Sequence, residues 1–151
     1  MEDKSLKILI EEAIRVSLKA GKKERTTTLR MLLNEIKTTE KIKKDSLDSS
    51  ETIFIIQKMI KQRKDSMSQF LSAEREELAQ KDERDIGTLS EFLPEQLSEG
   101  EIKELVAKSI IDLNAETPQD IGKVMSTLKP ALQGKADMSL VSKLVKISLT
   151  K

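Results

Sequence analysis

Apolar residues recur along this chain at spacings of three and four, and that pattern predicts helices almost from end to end. Leu6, Leu9/Ile10, Ala13/Ile14 and Ser17/Leu18 mark one face of a first helix running to about Ala20. Gly21 should close it in the left-handed conformation that glycine adopts cheaply. A second helix is predicted from near Lys23, with Leu29, Leu32/Leu33 and Ile36 on one face. Its charged far end, residues 40–44, is expected to project past the core, with Lys41, Lys43 and Lys44 suiting the negative end of the helix dipole. Asp45-Ser46-Leu47-Asp48-Ser49-Ser50 reads as a turn. Asp48 with Glu51 three residues on has the form of a capping box opening a third helix. That helix carries Ile53, Ile56, Ile60, Met67 and Phe70 at heptad spacing, with Arg63 where another apolar residue would fit. The pattern weakens near Ser72-Ala73. A fourth helix then shows Leu78, Ile86, Leu89 and Phe92/Leu93, and Gly87 inside it marks a weak point or a close approach.

Pro94 cannot continue that helix, and Glu95-Gln96-Leu97 reads as a connector. Beyond it, Ser98 and Glu101 form a second capping box ahead of Ile102, Leu105/Val106, Ser109/Ile110 and Leu113. Thr117-Pro118 opens a short helix with Ile121, Val124/Met125 and Leu128. Gly134 permits a sharp turn, and Asp137 is placed to cap a last helix with Leu140/Val141, Leu144/Val145 and Leu149 on its apolar face. No stretch sustains period-two alternation and no internal repeat is evident. The expected fold is all-α, with an N-terminal domain of about four helices over residues 1–97 and a three-helix tail domain over residues 98–151.

Composition narrows the function classes. Hydrophobic residues make up 37% and charged residues 35% of the 151, which suits small helical units with wide solvated faces. The chain has no Cys and no His. Thiolate chemistry, disulfides, the commonest general base and the commonest zinc ligand are therefore excluded together. Three Phe with no Trp or Tyr supply no stacking platform for single-stranded bases. The opening Met1-Glu2-Asp3-Lys4 does not read as a signal peptide, and no apolar run approaches the ~18 residues of a membrane span. A cytoplasmic protein without membrane association is expected.

The net charge of +1 hides a bipolar chain. Residues 22–64 hold twelve Lys/Arg against six Asp/Glu, residues 65–104 hold four against twelve, and residues 117–151 hold six Lys against Asp120 and Asp137. The basic run includes Arg25, Arg30, Lys58, Lys61, Arg63 and Lys64. Its simplest use is to neutralise the acidic run within the domain; the other is a nucleic-acid surface. Every carboxylate is expected on a helix surface or at a cap, where solvation explains it better than acid–base chemistry. Residues 45–51 lack the alternating oxygen ligands and central Gly of a calcium loop, and Gly21-Lys22-Lys23 lacks the flanking residues of a phosphate loop. No cofactor and no metal are expected, and no catalytic residue is assigned. One binding candidate stands out in the tail: Lys123, Lys129, Lys135 and Lys143 around Gly134. Backbone N–H groups at the start of the last helix could assist these lysines in a phosphate contact. The plainer reading is that the lysines keep a small unit soluble and Gly134 and Asp137 make a turn.

Four segments together resemble a known family. Lys23-Glu24-Arg25 with Thr28-Leu29-Arg30-Met31-Leu32, then Gln62-Arg63-Lys64-Asp65-Ser66, then Phe92-Leu93-Pro94-Glu95-Gln96-Leu97-Ser98, then Gly122-Lys123-Val124-Met125 through Gly134-Lys135-Ala136-Asp137 are similar to the YqeY-like proteins of the GatB/YqeY domain family, in order and over nearly the whole chain. The resemblance implies an all-α protein of two parts. Its tail would be similar to the tail domain of the B subunit of the glutamine-dependent amidotransferase acting on misacylated Glu-tRNA(Gln) and Asp-tRNA(Asn), a domain associated with tRNA binding. The catalytic cradle of that carbon–nitrogen ligase, with its ATP site and metal ligands, has no counterpart here. Ser126 and Met138 stand where the family often has Gly, and Met138 narrows a backbone approach at the turn. The implied function is a non-catalytic, tRNA-binding-like accessory module, with tRNA and a protein such as an amidotransferase or a tRNA synthetase as expected partners. The alternatives are a helical protein-interaction module that binds no nucleic acid, and a subunit contributing to glutamine-dependent carbon–nitrogen ligation.

Overall fold

The computed structural model describes residues 5–150, so the charged opening at residues 1–4 lies outside the described residues. Seven α-helices and one 3-10 turn fill the described chain, and no strand is present among the described residues, so the fold is all-α. The chain divides into two compact units, Met1–Leu93 and Pro94–Lys151. The division falls four residues ahead of the 97/98 boundary expected from sequence.

The first unit holds α1 (Leu6–Lys19), α2 (Lys23–Lys43), α3 (Ser49–Ser72) and α4 (Glu76–Ser90). Ser5 caps α1, its hydroxyl oxygen accepting from the Ile8 N–H at 3.3 Å, and Gly21 follows the helix at φ 71°. The α1–α2 turn is tied by a buried polar staple. The Ser17 and Thr26 hydroxyls lie 2.7 Å apart, and both reach the Lys22 carbonyl, at 3.1 and 2.8 Å. Ser17 therefore takes the inward position, and Leu18 is exposed. The Asp48 capping box forms with both halves in place: the Glu51 N–H donates to Asp48 at 2.8 Å and the Asp48 N–H to Glu51 at 3.2 Å.

Ile10, Leu32, Ile36, Ile55, Ile56, Met59, Ile60 and Leu89 make the core of this unit. Burying each such side chain stabilises the fold by about 1.5–3 kcal/mol. Three expectations need correction. The far end of α2 is anchored rather than projecting: Glu40 accepts from Lys7 on α1 at 2.8 Å and from the Leu47 N–H at 3.4 Å, and the Lys7 bond holds its carboxyl below the usual range. α4 stops at Ser90, so Phe92 and Leu93 pack on the core from the following turn. Its inward face carries Ala79, Asp82, Asp85 and Leu89, so two carboxylates are buried and not on the surface.

Gly87 lies on the solvent side of α4, and a Cβ built there meets nothing within 4 Å. It is a weak point and not a close approach. Gly87→Ala is therefore expected to stabilise the first unit by about 1 kcal/mol, through helix propensity and a less flexible unfolded chain. A higher urea midpoint at unchanged slope is the result to look for.

The second unit holds α5 (Glu99–Asp112), the 3-10 turn (Pro118–Asp120), α6 (Ile121–Leu132) and α7 (Met138–Leu149). The Ser98 capping box also forms: the Glu101 N–H donates to Ser98 and the Ser98 N–H to Glu101, each at 3.1 Å. The Ser98 backbone contact holds the Glu101 carboxyl below its usual range. α5 closes at Leu113 and Asn114, the latter at φ 53°. Asp120 accepts from the N–H groups of Glu116 at 2.9 Å and Thr117 at 3.2 Å, which fixes the 3-10 turn and lowers the Asp120 pKa. α6 is longer than its sequence pattern suggests. It continues through Pro130 to Leu132, although the proline removes the donor to the Ser126 carbonyl and its ring crowds that carbonyl. Ile102, Val106, Val124, Leu128, Leu132, Val141, Val145 and Leu149 interlock as this unit's core.

Candidate nucleic-acid interface

The turn between α6 and α7 is pinned on both sides. The Leu132 carbonyl accepts from the N–H groups of Lys135 at 2.9 Å and Ala136 at 3.1 Å. Gly134 sits between them, buried and at φ 83°, where a side chain would be strained. From the other side, Gln96 Nε2 donates to the Gly134 carbonyl at 2.7 Å and the Leu97 N–H donates to the Lys135 carbonyl at 2.9 Å. Gln96 and Leu97 thus act as a brace on this turn.

The four tail lysines are all exposed, but they do not form one group around Gly134. Lys129 lies in the last turn of α6 and Lys135 directly follows Gly134, so these two flank the turn. Lys143 lies midway along α7. Lys123 is near the opposite end of α6, about 9 Å along the axis from Lys129. There its Nζ donates to the Leu113 carbonyl at 3.3 Å, at the closing turn of α5. The side chains of Lys129, Lys135 and Lys143 have no hydrogen-bond or ion-pair partner among the described residues.

The expected help from backbone N–H groups at the start of α7 would have to share that turn with a carboxylate. Asp137 caps that helix, its carboxylate accepting from the Ser139 N–H at 2.9 Å. A resident carboxylate satisfies the Ser139 donor and repels a second anion placed beside it.

The first unit holds a charge network that sequence alone does not reveal. Asp85 is 2% exposed and takes three partners: the Thr28 hydroxyl at 2.9 Å, Arg63 Nε at 3.2 Å and Lys81 Nζ at 3.2 Å. Arg63 occupies its apolar-stripe position on α3 because an opposite charge waits on α4. That pairing of breaks in two neighbouring stripes is the signal that could have located Asp85. One turn earlier on α4, Asp82 Oδ2 is buried without a hydrogen-bond partner. On the surface, Arg25 grips Glu91 through both Nη groups, and Arg84 grips Glu24 through Nε at 2.7 Å and Nη2 at 3.3 Å. The Arg84 contact holds the Glu24 carboxyl below its usual range and raises the guanidinium. Arg25 and Arg63 therefore do neutralise the acidic run. Arg30, Lys58, Lys61 and Lys64 are exposed and have no side-chain partner among the described residues.

Among the described residues, no helix is long and apolar enough to cross a membrane, and no three Asp or Glu side chains are grouped to hold a metal ion.

Comparison with known proteins agrees with the resemblance read from the segments. An uncharacterised protein of Schizosaccharomyces pombe is 36% identical over 94 residues, covering 62% of this chain and 76% of that protein. Proteins named altered inheritance of mitochondria protein 41, mitochondrial, also match. The one from Pyrenophora tritici-repentis is 29% identical over 137 residues, 89% of this chain and 75% of its own. The one from Candida glabrata is 30% identical over 124 residues, 78% of this chain and 63% of its own. The family model described as Yqey-like protein matches residues 7–149, a span that takes in nearly all of both units and the four segments that carry the resemblance, and the chain belongs to that family.

Proposed function

We propose that this protein is a non-catalytic accessory module that binds tRNA through its second unit and is related in that part to glutamine-dependent tRNA amidotransferases. The observation that carries the reading is the set Lys129, Lys135 and Lys143: three exposed ammonium groups without internal partners, on a braced turn and the two helices it joins, in the stretch that resembles the amidotransferase tail. Phosphate contacts by lysine are sequence-independent and salt-sensitive, with a slope of log K against log salt of roughly −0.7 to −0.9 per contact. Three contacts give modest affinity, as expected of an accessory factor whose partner supplies the chemistry. Asp85 does not suggest catalysis, since Thr28, Arg63 and Lys81 already occupy it. The proposed compartment is the cytoplasm; the fungal relatives whose names say mitochondrial act elsewhere by those names.

The test is tRNA binding by the full chain across a salt series. A slope of roughly −2 to −3 is expected from three lysine contacts. Changing Lys129, Lys135 and Lys143 together to Met should flatten it, while Lys123→Met, whose lysine is turned to the Leu113 carbonyl, should leave it nearly unchanged. Absence of binding at low salt, or a triple variant that binds like the parent, would refute the reading.

A second reading is favoured by the apolar side chains that the first unit exposes, Val16 at 69%, Ile42 at 78% and Phe54 at 65%. These suit a helical protein-interaction module, with an amidotransferase or a tRNA synthetase as partner. A protein captured from lysate that persists after nuclease treatment supports it; loss of every partner on nuclease treatment counts against it.

A further inference from the structure

We infer that the cleft beside the α1–α2 turn binds a phosphate monoester, and that the carboxylates of Glu24 and Glu91 are internal anions which such a ligand displaces. The cleft has a volume of about 400 Å³ and is lined by Lys22, Lys23, Arg25, Thr28, Arg84 and Asp85, together with Glu24. That size lies in the range of roughly 300–1,000 Å³ typical of small-ligand sites. Its cations come from separate segments: Lys22 from the turn, Lys23 and Arg25 from the first turn of α2, and Arg84 from α4.

Both arginines already show how the cleft treats an oxyanion. Arg25 holds both carboxylate oxygens of Glu91, and Arg84 holds both of Glu24. A planar fork that accepts a carboxylate in this way accepts a phosphate with the same geometry. The resident carboxylates are weakly held competitors. Glu91 is 51% exposed and Glu24 45% exposed, and solvent-exposed ion pairs contribute little. The charge count then selects the ligand. The two arginine–glutamate pairs cancel, Arg63 neutralises Asp85 from below, and the half-exposed Lys81 beside it is left as a surplus positive charge. Lys22 and Lys23 are left, exposed and without side-chain partners among the described residues. With the surplus charge of Lys81, this excess of positive charge is enough for the charge of about −1.5 to −2 that a phosphate monoester carries at pH 7. The floor is not loose surface either: Thr28 is 3% and Asp85 2% exposed, so the cleft is built on a buried, hydrogen-bonded base.

The shared chemistry is the monoester group, which a free nucleotide or the 5′ end of an RNA can supply. The test is an amide-resolved NMR titration of the full chain with inorganic phosphate, with adenosine 5′-monophosphate, and with a short RNA carrying either a 5′-phosphate or a 5′-hydroxyl. Saturable shifts confined to residues 22–28 and 84–91 are expected with phosphate. A stronger response to the nucleotide, or a 5′-phosphate-dependent response to the RNA, identifies the source. Lys22→Gln with Lys23→Gln should weaken phosphate binding at least about fivefold. Glu91→Gln, which frees Arg25, should tighten it by about two- to fivefold, the equivalent of one surface ion pair. That gain has a sign a merely structural role for Arg25 would not give. Shifts that fail to saturate, shifts as large at Lys129 and Lys143 as in the cleft, or weaker binding by Glu91→Gln would overturn the inference. The readout lies wholly in the first unit, so it stands or falls apart from tRNA binding by the tail.

Discussion

Replacing Arg63 with alanine is expected to destabilise the first unit by about 2–4 kcal/mol, because it leaves a buried charge short of its main partner. Asp85 sits at 2% exposure with Arg63 Nε at 3.2 Å. After the substitution its carboxylate would rely on Thr28 and on Lys81, whose own side chain is 52% exposed and largely solvated. The reverse substitution, Asp85→Ala, should cost less, since Arg63 is 20% exposed and can turn its guanidinium to water. The informative variant is the double one, Arg63→Met with Asp85→Leu. It removes both charges and keeps the volume, and Thr28 retains the Glu24 carbonyl at 3.1 Å as an acceptor. A stability within about 1 kcal/mol of the parent is expected, as for other buried pairs replaced by apolar residues. Urea midpoints of the single and double variants check this. A near-neutral Arg63→Ala would show that the pair contributes nothing.

That pair also marks where sequence reading stops. Both capping boxes, Asp48 with Glu51 and Ser98 with Glu101, were legible because every partner lies within four residues, and local hydrogen bonding decides them. Gly21 and Gly134 were legible for a similar reason: a positive φ is a single-residue property. The burial of Asp85 depends instead on which helices meet. An acidic residue on α4 looks solvated until Arg63 on α3 and Thr28 on α2 are brought to it. The same holds for Ser17, whose inward position is set by Thr26 across the turn. The places where α2 and α3 end were legible, near Lys44 and at Ser72-Ala73, but the backbone conformation that ends them was not. Lys44 and Glu74 adopt φ of 64° and 58°, a conformation that costs such residues about 1–2 kcal/mol locally and leaves no compositional trace.

The candidate interface divides in the same way. The lysines can be counted from sequence, and Lys129, Lys135 and Lys143 keep their exposed, unpaired character in the fold. Two details change their meaning. Lys123 is drawn to the Leu113 carbonyl near the far end of α6, and Asp137 spends its carboxylate on the start of α7. Both are contacts between a side chain and a helix terminus, and the Lys123 contact spans ten residues of chain. The proposed interface narrows to Lys129, Lys135 and Lys143.

The second unit should be the more vulnerable of the two to a single core change, and Leu132→Ala is expected to show it. Leu132 is fully buried, and its carbonyl anchors both N–H groups that form the Gly134 turn. Truncating a buried leucine costs about 2–5 kcal/mol, the transfer term plus the cavity left behind. A unit of about 60 residues buries a small core and holds only about 3–9 kcal/mol of stability in total. Pro130, two residues earlier, stiffens the backbone and limits how far the site can collapse into the cavity. The cost should therefore fall toward the upper part of the range. Native-state hydrogen exchange separates the units: protection at Val124, Val141 and Val145 should drop by about two orders of magnitude or more, while Ile36 and Ile56 in the first unit keep theirs. Equal losses in both units would mean that they unfold as one, and unchanged protection at Val145 would mean that the turn is held without Leu132. If the tail unfolds first and its lysines bind tRNA as proposed, binding by Leu132→Ala should fall with it even though every lysine is retained, because three dispersed ammonium groups would act as a site only while α6 and α7 hold them in place.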